Sequence, residues 1–188
     1  MAMSHYLSGS APDGVDVLCD QHRRIRELVK AVSKAPRDAR REAFMQLREL
    51  LSTHEAAEDL LLRPVTRLTV PGGVVVADAR TAEEIAVRQQ LAELASLDSQ
   101  ASEFASAFDR FAQHLIDHAE REEAYEFPLV RAHRDGDALV AMGKVLQRTQ
   151  PPTMPPLPSM PAVVVSAVAS PITAAVSKVR DTLSSAGH

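Results

Sequence analysis

"THEAAEDLLLRP", residues 53–64, and "DHAEREEAYEFP", residues 117–128, each carry His at the second place, Glu at the sixth and Pro at the twelfth. On a helix, a Glu four residues after a His lies about 40° round from it and one turn along, so both side chains address one point. A solitary pair of this kind reads as a solvated surface pair. Here the pair is written twice, and both copies are in phase with an apolar stripe. Leu47, Leu50 and Leu61 run with His54 and Glu58, while Phe104, Phe108, Phe111 and Leu129 run with His118 and Glu122. A third histidine, His22, lies between Leu18 and Ile25 on the stripe Val15, Leu18, Ile25, Val29. Three inward histidines and two inward carboxylates on three helices are hard to bury without a cation. Imidazoles mixed with carboxylates that can bridge suit iron, and sites of this kind in bundle cores hold paired metal ions. Zinc would be satisfied with fewer carboxylates.

The 3.6-residue period predicts four helices, over about 14–34, 37–62, 82–97 and 102–132. Pro64 is expected to stop the second. "VTRLTVPGGVVVADAR" then reads as a loop with a Pro-Gly-Gly turn and a locally extended Val run, and Thr81 reads as the N-cap of the third helix, with Val87, Leu91 and Leu94 inward. Short connections make neighbouring helices antiparallel, so the expected fold is all-α, an up-down-up-down four-helix bundle. Residues 1–12 form an N-terminal extension, 13–148 the bundle, and 149–188 a Pro-rich linker with a C-terminal helical segment. The apolar stretch after Pro161 is interrupted by serines and Pro171, so it is expected not to span a membrane but to pack on the bundle or on a second subunit, giving a homodimer in the latter case.

Composition agrees with a helical domain. Of 188 residues 45 % are hydrophobic but only 4 % aromatic, and Trp is absent. A formal charge of −4 lacks the basic footprint of a nucleic-acid partner. The single cysteine, Cys19, cannot close an internal disulfide and is expected to sit in the core as a small apolar residue; with no apolar run behind a basic N-terminal head, a reducing cytoplasm is the expected compartment.

"DVLCDQHRRIREL", "LRELLSTHEAAEDLLLRP" and "LIDHAEREEAYEFPL" resemble the first, second and fourth helices of the hemerythrin-like (HHE cation-binding) family over about residues 13–132. The members most like this chain, with a Pro-rich C-terminal tail, are actinobacterial and particularly mycobacterial. The resemblance implies a non-haem di-iron centre with carboxylate and oxo or hydroxo bridges. Carried over by position, His22 and His54 would ligate one iron, His118 the other, and Glu58 and Glu122 would bridge them.

One part of the pattern is missing. The family's third helix gives histidine to the second iron, yet residues 55–113 contain none. Glu84 stands where that histidine should be, although it also reads as a capping-box partner of Thr81 or an ion pair with Arg88. His114, one turn before His118, reads equally as ligand, hydrogen-bond partner or core residue, with a catalytic proton relay as its functional role. Tyr125, seven residues after His118, points within about 20° of it and can offer a phenolate ligand. Glu55 and Glu123 adjoin the motifs and are expected to face other polar groups. An iron that trades imidazole for anionic oxygen donors favours the ferric state. The expected function is therefore catalase-like turnover of hydrogen peroxide; the alternatives are reversible O2 or NO binding or sensing, and iron storage.

Overall fold

The structure, a computed structural model, describes residues 11–149. The expected C-terminal helical segment, its role in pairing subunits and nearly all of the N-terminal extension lie outside the described residues. Helix α1 (Gly14–Lys34) opens on a reciprocal cap, in which the Asp13 carboxylate accepts from the Asp16 N–H at 2.8 Å and Asp16 accepts from the Asp13 N–H at 3.1 Å. Helix α2 (Arg37–Ala57) passes through a π-helical turn, Glu58–Leu62, into α3 (Arg63–Thr69). Helix α4 (Gly73–Ser96) follows, then α5 (Ser102–Arg121), a second π-helical turn at Glu122–Glu126, α6 (Phe127–His133) and α7 (Gly136–Thr149). The α2–α3 and α5–α6 rods pack with α1 and α4 as an up-down-up-down four-helix bundle, and α7 lies against α1.

The two prolines do not end their helices. Each is the second residue after a π turn, where the Arg63 N–H reaches back five residues to the Glu58 carbonyl and the Phe127 N–H to that of Glu122. The wider turn makes room for a ring that an uninterrupted α-helix would push against a carbonyl one turn earlier. It also adds one residue, which rotates everything after it by about 100°. The inward position expected for Leu61 passes to Leu62, which is fully buried, and that expected for Tyr125 passes to Glu126.

The third helix also begins earlier than its cap signal indicates. Gly72 takes a left-handed turn at φ 71°, the Gly73 N–H donates to the Val70 carbonyl at 2.8 Å, and α4 starts there. The Val run is thus helical, and Thr81 lies inside the helix, where it caps nothing. β-branched residues only weakly resist a helix, and the turn fixes the start more strongly than they oppose it. A side chain at Gly73 would collide with the Thr66 carbonyl, so the close approach of α3 and α4 requires glycine.

Two apolar clusters flank a polar middle. One gathers Ile25, Val29, Leu47, Val87, Phe108 and Phe111; the other gathers Val15, Leu18, Leu62, Phe127, Leu139 and Leu146. Cys19 packs, partly buried, on the second cluster, and burial pushes its thiol up to about 11. Helix α7, which no periodicity reading picked out, closes that end of the core. Its Gly143 faces the Pro12 carbonyl oxygen, 2.4 Å from where a Cβ would stand, whereas Gly136 has open space. Gly143→Ala should therefore cost about 1–3 kcal/mol of stability by prising α7 from α1, while Gly136→Ala stays within about 0.5 kcal/mol of the parent in chemical denaturation.

Candidate metal centre

Between the two clusters, α1, α2, α4 and α5 turn polar side chains inward. His22, His54, Glu58, Glu84, His118 and Glu122 are all buried, the three glutamates completely. Their donor atoms form two adjacent sets: His22, His54, Glu58 and Glu122 lie within 4.8 Å of one another, and so do Glu58, Glu84, His118 and Glu122. Glu58 and Glu122 are common to both.

Outer partners fix each imidazole with one nitrogen facing the centre. The His54 Nδ1–H donates to Gln21 Oε1 at 2.8 Å, His22 Nδ1–H to Glu123 Oε1 at 2.8 Å, and His118 Nδ1–H to Glu83 Oε2 at 3.0 Å. These partners are acceptors, so every Nε2 is left with its lone pair directed inward. His22 Nε2 and His54 Nε2 stand only 3.0 Å apart. Two lone pairs cannot face each other at that distance without a proton or a metal ion between them. Among the described residues, both Glu58 oxygens, Glu84 Oε2, Glu122 Oε2 and His118 Nε2 are buried with no hydrogen-bond partner. Leaving such atoms bare costs on the order of 1–3 kcal/mol each, and a cation at the two shared points answers all of them.

Their electrostatics fit the same account. Burial, reinforced by the Glu122 charge, holds Glu58 well above the usual carboxylate range, and burial pushes Glu84 up to about 7 against the pull of Arg63. Burial also opposes ionisation of Glu122, but the His22 imidazole 3.2 Å away and the charges of His118 and Arg63 outweigh that and hold it low. Burial and the neighbouring His22 charge keep His54 neutral, whereas His22, though buried, is raised by Glu122 and Glu123. Without metal, protons can stand in for a cation at these atoms.

Two sequence candidates fall elsewhere. His114 is on the exposed face of α5, where Nδ1 bonds to the Gln90 amide at 2.7 Å. Tyr125 is 68 % exposed, because the residue added by the π turn rotates it off the inward stripe. Neither reaches the centre, so the catalytic relay assigned to His114 and the phenolate assigned to Tyr125 are both corrected. Glu84 does reach it, inside α4 rather than at a cap, with Arg88 3.8 Å away. Glu123 orients His22 and pairs with Arg26, and buried Glu55 lies 3.8 Å from Arg88.

Arg63 is the residue the sequence reading missed. Its side chain is buried and its guanidinium lies among four carboxylates. Nε donates to Glu84 Oε1 at 2.8 Å, Nη1 to Glu126 Oε2 at 2.5 Å, and Nη2 to both Glu84 Oε1 and Glu122 Oε1, with Glu58 Oε2 3.6 Å away. Thr66 Oγ1 donates to the other Glu126 oxygen at 2.5 Å. No sequence signal marked it, because the π turn that brings position 63 inward leaves no mark in composition.

A four-helix bundle whose middle carries two convergent sets of imidazole and carboxylate donors, with bare lone pairs directed at shared points, is a cation-binding bundle. Residues 13–141 match the hemerythrin HHE cation binding domain, and the chain belongs to that family. A solved hemerythrin HHE cation binding domain-containing protein from Mycobacterium kansasii is similar in fold, with a TM-score of 0.66 and 23 % identity over 73 % of this chain and 84 % of that one. Among curated proteins none matches significantly. Among the described residues no helix is long and apolar enough to cross a membrane.

Metal must displace the protons held on Glu58, Glu84 and His22. Affinity for a divalent metal should therefore fall as the pH drops through about 7, where Glu84 takes up its proton, and rise as the pH climbs above it. Calorimetric titration in two buffers of different ionisation enthalpy should register proton release; an affinity flat from pH 6 to 8 would contradict this protonation scheme.

Proposed function

We propose that this chain is a non-haem di-iron protein that disproportionates hydrogen peroxide, two molecules giving two of water and one of oxygen. In this reading His22 and His54 would hold one iron and Glu84 and His118 the other, with Glu58 and Glu122, common to both donor sets, serving both. The observation that carries the reading is Glu84, a fully buried carboxylate on the helix that the family resemblance would furnish with histidine. Paired iron supplies the two-electron redox capacity that peroxide chemistry needs. Anionic oxygen donors stabilise its ferric state, whereas reversible oxygen carriage rests on a durable ferrous pair.

The chain's own side chains have definite tasks. Gln21, Glu83 and Glu123 hold the three imidazoles in the tautomer that leaves Nε2 free. Phe127 stacks on His22 with ring centroids 5.5 Å apart and, with Leu62, keeps bulk water from that side. Glu84, its proton given up to the metal, would supply the extra anionic oxygen donor of the second iron.

Oxygen evolution from peroxide by iron-loaded protein tests the proposal directly. Activity above that of free iron is expected, and Glu58→Ala should abolish it together with iron retention. Glu84→His restores an imidazole and should lower peroxide turnover by about tenfold or more, equivalent to roughly 1.4 kcal/mol of barrier, while prolonging the ferrous state. Tyr125→Phe should change neither spectrum nor rate. Inert iron would oppose the peroxide reading and favour storage, and an oxygen adduct reversible under vacuum would favour carriage or sensing.

A further inference from the structure

The two halves of the centre are related by sequence offset, and they differ most consequentially at the positions of Glu84 and Arg63. His54, Glu58 and Pro64 correspond to His118, Glu122 and Pro128, sixty-four residues on. On the partner helices the offset is sixty-two: Gln21 and Glu83 each accept from a histidine Nδ1, and Arg26 and Arg88 each pair with the residue after a shared glutamate, Glu123 at 2.9 Å and Asp59 at 3.1 Å. By the same offsets Glu84 corresponds to His22, and Arg63 corresponds to Phe127. Where one half has an imidazole beside an apolar ring, the other has a carboxylate beside a guanidinium.

Their placement makes the halves chemically unequal. In the set His22, His54, Glu58, Glu122, the carboxylate oxygens nearest the imidazoles are Glu122 Oε2, 3.2 Å from His22, and Glu58 Oε1, 3.3 Å from His54, and no guanidinium nitrogen touches either. In the set Glu58, Glu84, His118, Glu122, two of the three carboxylates are bonded by Arg63 and the third is 3.6 Å from it. The guanidinium also has a second anchor. Glu126 is fully buried, belongs to neither donor set, is held by Thr66, and already accepts from Nη1.

We propose that Arg63 is a built-in cation that occupies the oxygen-rich half of the centre in the metal-free protein, and that Glu126 receives its guanidinium when the second metal displaces it. Arg63 is thus a positioning residue that sets the order and relative affinity of loading. The histidine-rich half fills first against protons alone. The oxygen-rich half fills second, because Glu122 Oε1, 3.4 Å from His118 Nε2, is held by Arg63, and a metal there must break that bond while the bond to Glu126 persists. This inference rests on the paired-metal reading above.

Cobalt(II) titration of the full metal-free chain, followed through its visible ligand-field bands, separates the two ideas. The parent should take up two equivalents in two steps, the first about tenfold or more tighter. Arg63→Met, which keeps the apolar stem and removes the charge, should raise the second affinity by about tenfold and leave the first within about threefold. Glu126→Gln removes the receiving anion and should weaken the second step by about threefold or more. If the metal-free Arg63→Met chain does not fold, Arg63→Lys supplies the same readout, since one ammonium cannot span Glu84, Glu122 and Glu126, and its second affinity should also rise. No cobalt uptake by the parent would overturn the centre and this inference together. Two equal steps in the parent, or a second step unmoved by Arg63 and Glu126 variants, would overturn the inference alone.

Discussion

Four carboxylates, Glu58, Glu84, Glu122 and Glu126, are wholly buried in one layer of this bundle, and a single guanidinium, Arg63, is enclosed with them. Burying unpaired charge costs several kcal/mol per ion even after relaxation. Every unusual local feature nearby answers that constraint. Imidazoles are pinned through Nδ1, burial raises the Glu58 and Glu84 carboxyls above the usual carboxylate range, Arg63 and Thr66 compensate Glu126, and several lone pairs are left bare for a cation to complete. The apolar clusters on either side give the layer its rigid walls, so the donors are placed before any ligand arrives.

The π turns tie chain geometry to this chemistry. Each begins at a shared glutamate and ends two residues before a proline. By adding one residue they let Glu58 and Glu122 face inward on the first stretch of each rod, and then bring Leu62, Arg63, Glu126 and Phe127 inward on the next. An uninterrupted helix would present Leu61 and Tyr125 instead. The repeated proline therefore marks a change of register in a continuing rod, and that change brings Arg63 inward on one rod and Phe127 on the other.

The bundle and five of the six converging residues were legible in the sequence because their signal is periodic and local. His54 with Glu58 and His118 with Glu122 share a face by spacing alone, and His22 sits on an apolar stripe that is buried as drawn. Glu84 could be placed only by its relation to a family pattern, since its sequence neighbours equally suit a cap or a surface pair. The misplacements of Tyr125 and Leu61 share one cause. Tyr125 and Leu61 were projected along an ideal helix, and a π turn leaves no mark in composition. Arg63 was invisible for the same reason, because a charged residue just before a proline reads as solvated. The start of α4 was hidden by Pro71, Gly72 and Gly73, whose turn is real but two or three residues long, and by β-branched residues that tertiary packing holds in a helix.

The central claim is that one layer of the bundle holds two metal ions in unlike surroundings, one beside two imidazoles and the other beside one imidazole and an extra carboxylate. A Mössbauer spectrum of the iron-loaded chain, taken with its iron content, tests this most directly. The account predicts two irons per chain and two distinct quadrupole doublets of equal area. One iron per chain, or two irons giving a single doublet, would contradict it.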